Sequence, residues 1–278
     1  MFATALIVFR EILEAALLVG IVAAATRAVP GRNRWLAVGI AAGIFGACLV
    51  ALGTERIAEM ASGIGQELFN ATVLGIAVIM LAWHNLWMSS HGAALASDAR
   101  DVGGEIRDGR RACSVLAIVV GLAVLREGSE TVLFLYGIAA TDGGASWPML
   151  TGALIGFAAG ITVGYTLYAG LLRAPLRWFF AATGILVLFL AAGMASQAAR
   201  FLIQADLLPS LAMPLWDTSS VLPQPSIAGT ILHGLVGYDA HPAGMQVVAY
   251  VLTLVIIGAG MKWVSRNKSP SPSKAISS

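Results

Sequence analysis

Residues 10–14 read REILE and residues 126–130 read REGSE, and each pentapeptide stands inside an otherwise apolar stretch of the chain. Both have the form Arg-Glu-x-x-Glu. A charged side chain near the centre of a bilayer costs at least ~2.5 to 3.5 kcal/mol on insertion scales, so charges in two matching blocks require a specific reason. The pair of blocks therefore indicates a charged site inside a membrane-embedded fold.

The composition around these blocks is that of an integral membrane protein. Hydrophobic residues make up 58% and charged residues 12% of the chain, and the mean hydropathy is +0.82, whereas an average soluble domain has roughly 25% charged residues. The net charge of +2 is too small to indicate nucleic-acid binding. Cys48 and Cys113 lack the spacing of a thiolate metal site and predict no disulfide framework.

Apolar windows long enough to cross the hydrocarbon, which takes roughly 20 residues, recur along the chain. Seven windows meet this requirement, at about 2–25, 35–53, 68–88, 113–136, 149–171, 178–200 and 245–264. We therefore predict an all-α integral membrane fold with seven transmembrane helices in one domain, residues 1–265. Residues 266–278 are rich in Ser, Pro and Lys, which predicts a disordered cytoplasmic tail.

The connections between these helices differ in charge, and the difference predicts their orientation. Basic residues concentrate in the first, third and fifth connections and at the C-terminus: Arg27, Arg32, Arg34, Arg100, Arg107, Arg110, Arg111, Arg173, Arg177, Lys262, Arg266, Lys268 and Lys274. The other connections hold mainly acids: Glu55, Glu59, Asp142, Asp206, Asp217 and Asp239. This alternation predicts that the N-terminus lies outside and the C-terminus inside.

The two motifs fall on the first and fourth helices, which run antiparallel because three crossings separate them. The second and fifth helices carry glycines at a spacing that permits close helix contact. These glycines are Gly39, Gly43, Gly46, Gly152, Gly156, Gly160 and Gly164. We predict an inverted repeat, residues 2–88 and 113–200, with the seventh helix added, an arrangement that places substrate near the midplane. Helix packing alone also explains the glycine spacing.

Within each motif the two glutamates are three residues apart and lie on one helix face, so both can contact the same partner. Arg10 and Arg126 each precede the second glutamate of their motif by four residues, which favours pairing with it. If the motifs face each other, four carboxylates and two guanidiniums leave a formal charge of −2, which a multivalent cation would offset. Carboxylate oxygens suit Mg, Ca, Mn and iron better than Cu(I). The candidate metal ligands are Glu11, Glu14, Glu127 and Glu130.

Other interpretations of the motifs stay open. Each could be an intrahelical salt bridge, although one ion pair would leave Glu11 and Glu127 unexplained. Buried carboxylates could also relay protons, with or without a metal. The competing functions are a permease for another divalent cation, such as manganese or lead, and an intramembrane carboxylate enzyme. Because no nucleophile or phosphate-binding motif accompanies the glutamates, we predict a protein that is not an enzyme.

The motifs and several further segments resemble the oxidase-dependent iron permease family of the iron/lead transporter superfamily. These segments are LREGSETVLFLYG at 125–137, AWHNLWM at 82–88, PLWDTSSVL at 214–222 and GTILHGLVGYDAHP at 229–242. The resemblance implies a bacterial-type permease that imports ferrous or ferric iron across the plasma membrane. It assigns iron handling to the glutamates of the two motifs, with Arg10 and Arg126 in support. Ser129 stands where Leu or Phe is more usual, and it either adds a hydroxyl to the site or reduces packing.

The resemblance also bears on partners. No long extracytoplasmic domain precedes the first helix, so we expect a separate iron-delivery or redox protein. Fungal members of the family use a multicopper oxidase, and bacterial members use a periplasmic binding protein and a haem peroxidase. Iron and the lipid bilayer are the other expected partners. Iron is the transported substrate, and no tightly bound cofactor is expected.

The remaining polar residues receive plainer interpretations. Glu55 and Glu59, beyond the second helix, form either a solvated acidic face or a vestibule that gathers cations. His84, near the inner end of the third helix, is interpreted as a hydrogen-bonded helix-end residue rather than a ligand. His233 and His241, in the same connection as Asp239, are interpreted as turn or surface residues, with an entry site as the alternative.

Two connections have a predicted structure of their own. The inner loop from Ser89 to Arg111 mixes acids and arginines and predicts a short, solvated amphipathic helix. The outer stretch from Gln204 to Gly244 contains too many prolines for a continuous helix. Within it, the apolar residues 227–236 predict a short re-entrant or interfacial helix.

Overall fold

The computed structural model describes residues 1–61, 65–141, 144, 146–170 and 176–266, and it describes side chains for all of these except 55, 57–61, 88–96, 99, 141, 176–181 and 265–266. The described residues form helices and turns, without a β-strand. The helices are α1 (Phe2–Ala25), α2 (Arg32–Ala61), α3 (Gln66–Arg107), α4 (Val115–Thr141), α5 (Trp147–Tyr168), α6 (Leu176–Gln204), α7 (Ile227–Val236) and α8 (Gly244–Arg266). The all-α prediction is therefore confirmed for the described part of the chain.

Five helices are long and apolar enough to cross a membrane along the segments Arg32–Thr54, Gln66–Trp87, Trp147–Tyr168, Ala182–Gln204 and Gly244–Val264. The two motif-bearing helices, α1 with 24 residues and α4 with 27, also exceed the length that a crossing requires. They differ from the other five in their charged residues, since each holds the Arg and both Glu of one motif. Large apolar side chains such as Phe45, Ile79 and Leu154 are exposed on the outside of the bundle, as suits a surface covered by lipid.

The glycine-bearing helices pack across the two halves of the chain. Helix α2 packs on α4, and α5 packs on α1. A Cβ added to Gly43 would lie 2.8 Å from the carbonyl oxygen of Gly121, and one added to Gly160 would lie 3.0 Å from that of Phe9. Because no Cβ fits at these positions, glycine is what allows the helix backbones to approach so closely.

Five of the helices share an apolar core. Buried side chains of α1, α3, α4, α6 and α8 form one cluster, which includes Ile7, Leu81, Phe134, Val187 and Ile257. Helix α3 packs on α6, and α6 packs on α8. The amide nitrogen Nδ2 of Asn85 donates to the carbonyl oxygen of Gly184, 3.0 Å away, and ties α3 to α6. The core therefore fixes α3 beside the two motif-bearing helices.

The structure corrects the predicted ends of two helices. Helix α2 continues to Ala61 instead of ending near residue 53, so the backbones of Glu55 and Glu59 are helical, while both side chains lie outside the described ones. Helix α3 continues to Arg107, so the stretch after Ser89 is helical as predicted, but it is the end of α3 and not a short helix of its own. No proline interrupts this stretch, and the first glycine in a left-handed conformation is Gly109, with φ +74°.

The segment between α6 and α8 has the predicted irregular form. It contains only the short helix α7, which begins after Ser226, whose hydroxyl accepts a hydrogen bond from the Gly229 amide at 3.0 Å. The helix ends at Gly237, which has a left-handed φ of 73°. Backbone hydrogen bonds from Leu215 to Pro242 and from Thr218 to Ala240 close the segment on itself. The tail that we predicted to be disordered lies outside the described residues beyond 266.

Candidate metal site

The two motifs meet where α1 and α4 pack together. Each lies near the middle of its helix, and their side chains are largely withdrawn from solvent. The exposed fraction is 1% for Glu11 and 3% for each of Arg10, Glu14 and Glu127. Charged groups so deeply buried must be paired or must bind an ion.

The arginine of each motif contacts the second glutamate one helical turn away. Arg10 Nε lies 3.0 Å from Glu14 Oε1, and Arg126 Nε lies 3.1 Å from Glu130 Oε1. The contact of Arg126 is an aligned hydrogen bond, whereas that of Arg10 is an ionic contact without hydrogen-bond alignment. The structure thus contains both of the contacts expected from the four-residue spacing.

Three carboxylates and one imidazole form the centre of the site. One donor atom from each of Glu11, Glu127, Glu130 and His84 lies within 4.8 Å of all the others. Two donors on opposite sides of an octahedral ion with bonds of about 2.1 Å are about 4.2 Å apart, so the cluster needs only a small contraction to hold one ion. The arrangement can therefore bind a divalent transition metal.

His84 is a member of this cluster, although the sequence analysis interpreted it as a helix-end residue rather than a ligand. Its Nε2 lies 3.3 Å from Glu14 Oε2, and its Nδ1 contacts Glu130 Oε2. A single imidazole from α3 therefore touches both motifs, and its side chain is only 2% exposed. The signal in the sequence was an ionisable residue inside a membrane-length apolar segment, which is by default a functional residue.

Several oxygens of the site lack hydrogen-bond partners among the described residues. They are both carboxylate oxygens of Glu11 and of Glu14, and Oε2 of Glu127 and of Glu130. Leaving a buried polar group without a partner is costly, and more so when it is charged. A cation bound among Glu11, Glu127 and Glu130 would supply the missing interactions of these three residues, whereas Glu14 contacts Arg10 and His84.

The two motifs differ in exposure. The side chain of Arg10 is 3% exposed, whereas that of Arg126 is 35% exposed and stacks on the ring of Trp87, 4.1 Å from the ring centre. Glu130, at 14%, is also the most exposed of the four glutamates. The second motif therefore forms the more accessible side of the site.

The remaining predicted residues have roles outside the cluster. Ser129 Oγ donates to the Leu125 carbonyl oxygen at 2.6 Å, so its hydroxyl is engaged within α4. His233 Nδ1 lies 2.7 Å from the Tyr238 carbonyl oxygen and so supports the turn after α7. The side chains of Glu55 and Glu59, proposed as a vestibule, are not among the described ones.

His241 forms an exposed pair in the segment between α6 and α8. Its Nε2 lies 3.1 Å from Asp217 Oδ1. Hydrogen bonds from the hydroxyl and the amide of Ser219 hold the pKa of Asp217 below its usual value, with the His241 contact acting in the same direction. This pair is a surface feature, as predicted for His241.

Comparison with known proteins identifies permeases as relatives of this chain. A model of the iron permease FTR1 family matches residues 1–265. The ferrous iron permease EfeU of Escherichia coli O6:K15:H31 (strain 536) is 34% identical over 260 residues, which cover 92% of this chain and 93% of the relative. EfeU of Yersinia pestis is 32% identical, covering 92% of this chain and 91% of the relative. No solved structure matches the chain. These relatives are permeases and not enzymes.

Proposed function

This chain belongs to the iron permease FTR1 family, and from that membership we propose that it imports ferrous iron through the site between α1 and α4. It is a multi-pass protein of the plasma membrane, or of the inner membrane in a two-membrane bacterium, and it is a transporter and not an enzyme. Iron passes through it as cargo, without a resident cofactor.

The observation that carries this proposal is the buried cluster of carboxylates from both motifs. Glu11, Glu127 and Glu130 lie together with His84, and Glu14 contacts the same imidazole. With four ionised glutamates, two arginines and a neutral imidazole, the formal charge is −2. A divalent ion neutralises this charge, whereas a trivalent ion would leave an excess of +1 in a low-dielectric site. The charge balance therefore favours ferrous over ferric iron, in agreement with the names of the relatives.

The proposed membrane arrangement has seven crossings, α1 to α6 and α8, with the N-terminus outside and the C-terminus inside. Residues 1–265 form one permease domain, and residues 266–278 form a cytoplasmic tail. The basic residues in or beside the α1–α2 and α3–α4 connections support this orientation, namely Arg27, Arg34 at the start of α2, and Arg110. A separate extracytoplasmic protein delivers the iron or sets its oxidation state.

We propose that α1–α3 and α4–α6 form an inverted repeat. The supporting observation is reciprocal packing: the second helix of each half packs on the first helix of the other half, through glycines in both cases. Alternating access of two such halves would expose the midplane site first to the outer side and then to the inner side. In this mechanism Arg10 and Arg126 hold the carboxylates in place while the iron passes.

Iron uptake by cells that lack their own iron importers tests this proposal. Cells producing the chain are compared with vector controls, using radioactive iron kept ferrous with ascorbate or supplied as ferric citrate. With ascorbate present, we expect more iron uptake in cells that produce the chain than in vector controls. Excess manganese should not abolish this uptake. Uptake from ferric citrate alone would overturn the ferrous assignment, and complete displacement by manganese would indicate a different cargo.

A further inference from the structure

We propose that His84 is a direct iron ligand, and that Glu14 orients its imidazole and does not bind the ion. This inference rests on the proposed function and refines it, because it makes the two motifs chemically unequal. Both glutamates of the second motif bind the ion, but only Glu11 does so from the first. The fourth ligand comes from α3, which carries neither motif.

The distances distinguish His84 from Glu14. His84 shares the cluster with Glu11, Glu127 and Glu130, in which one donor from each lies within 4.8 Å of the others, whereas Glu14 is not a member. Glu14 instead contacts Nε2 of the imidazole at 3.3 Å. The other ring nitrogen, Nδ1, contacts Glu130 inside the cluster. The ring therefore presents Nδ1 to the cluster, at Glu130, and Nε2 to Glu14.

This arrangement places the residues as in the pattern by which proteins fix a histidine ligand, with Nε2 and Glu14 in ionic contact and not in an aligned hydrogen bond. A metal-bound imidazole almost always donates its second N–H to a carboxylate or carbonyl, which sets the tautomer and the orientation of the ring. Glu14 is in turn held by Arg10, 3.0 Å away. The series Arg10, Glu14, His84 thus forms a buried support behind the ligand.

The backbone at His84 is also fixed in place. The next residue, Asn85, bonds to the Gly184 carbonyl oxygen on α6, and Leu81, one turn before, is 1% exposed in the core. The imidazole is therefore held at the site by α3 and α6 together. Such preorganisation suits a ligand whose position must be reproducible.

The chemical consequence is selectivity. A site made only of carboxylates suits the hard ions Mg²⁺ and Ca²⁺, which are far more abundant than iron, whereas an imidazole nitrogen favours transition metals such as Fe²⁺. His84 would let the site prefer iron over these competitors.

X-ray absorption at the iron edge tests the inference on the purified full-length chain, loaded anaerobically with ferrous ammonium sulfate. The wild type is expected to show the multiple scattering of one imidazole. H84Q, which keeps a group able to hydrogen-bond to the carboxylates, should lose this signal, and H241Q, which alters an exposed histidine, should keep it. Iron bound by wild type without imidazole scattering would overturn the inference and leave the proposed function intact. Wild type that binds no iron would overturn both.

Metal selectivity gives a second, independent measurement. Competition titrations with Fe²⁺ and Mg²⁺ measure the ratio of the two affinities. The preference for Fe²⁺ over Mg²⁺ should be at least about tenfold lower in H84Q than in wild type. E14Q should bind iron about 10- to 100-fold more weakly while keeping the imidazole signal, because it loses orientation and not a ligand. An unchanged preference in H84Q would overturn the ligand role of His84. Loss of the imidazole signal in E14Q with unchanged affinity would contradict the orienting role of Glu14.

Discussion

Nε2 of His84 lies 3.3 Å from Oε2 of Glu14, so a side chain of α3 reaches a carboxylate at the centre of α1. The other nitrogen of the same ring contacts Glu130 on α4. Three helices therefore supply the charged site, although the motifs occur on only two of them. The shared histidine links the two motifs and makes the position of each depend on the other.

The two arginines should differ in their contribution to stability. Arg10 is 3% exposed and Arg126 is 35% exposed. Removing one partner of a buried ion pair costs about 3 to 5 kcal/mol, whereas partly solvated pairs contribute roughly 1 kcal/mol or less. Thermal unfolding in detergent should show a much larger loss for R10Q than for R126Q. An equal or larger loss for R126Q would contradict the burial difference.

The close contact of α5 with α1 predicts a position-specific effect of a single methyl group. A Cβ at Gly156 would collide with the Ala5 carbonyl oxygen and lie 3.0 Å from the Phe9 nitrogen, whereas a Cβ at Gly75 would meet nothing within 4 Å. G156A should therefore lower the yield of folded protein in size-exclusion chromatography. G75A, the matched control on α3, should be neutral or stabilising, because Ala favours helix by about 1 kcal/mol over Gly. Wild-type yield from G156A would argue against this packing.

The stack between Trp87 and Arg126 predicts a moderate effect on transport. The guanidinium lies 4.1 Å from the ring centre, and such a contact contributes about 1 kcal/mol, or roughly fivefold in affinity. W87L should raise the iron concentration for half-maximal uptake by about that factor, and W87F should raise it less. Trp83, one turn earlier and 71% exposed, provides the control W83L. Equal effects of W87L and W83L would mean that the stack does not position Arg126.

The proposed orientation can be checked with single cysteines. In a chain whose Cys48 and Cys113 are replaced by serine, D217C and D108C place thiols at exposed positions in segments that we propose to lie outside and inside, respectively. A membrane-impermeant maleimide added to intact cells or spheroplasts should label D217C alone. D108C should react only after the membrane is opened. The reverse pattern would invert the proposed topology.

Much of the arrangement on α1 and α4 could be predicted from sequence because its determinants are local. The four-residue spacing within each motif anticipates the contacts of Arg10 with Glu14 and of Arg126 with Glu130. The window predicted for the first helix, 2–25, has the bounds of α1. Helix length and side-chain direction follow from neighbours along the chain, so a short stretch of sequence contains the information.

The role of His84 could not be predicted in the same way. Its neighbours, Glu14 and Glu130, come from distant parts of the chain, and they meet it only because the apolar core packs α3 between the motif helices and α6. An isolated histidine in an apolar segment indicates a functional residue, but it does not identify the distant residues that it contacts. The full length of α3 was also not predicted, because the mixed charges after Ser89 are typical of a separate solvated element, although the segment contains no proline.

The most direct test of the account is the uptake of radioactive ferrous iron into proteoliposomes that contain the purified chain. Glu127 is 3% exposed at the centre of the site, whereas Glu67 is an exposed glutamate at the start of α3 and provides the matched control. We predict uptake by wild type and by E67Q, and at least a tenfold lower rate for E127Q, about 1.4 kcal/mol or more, with equal insertion of all three proteins. Wild-type uptake by correctly inserted E127Q would contradict the site between α1 and α4.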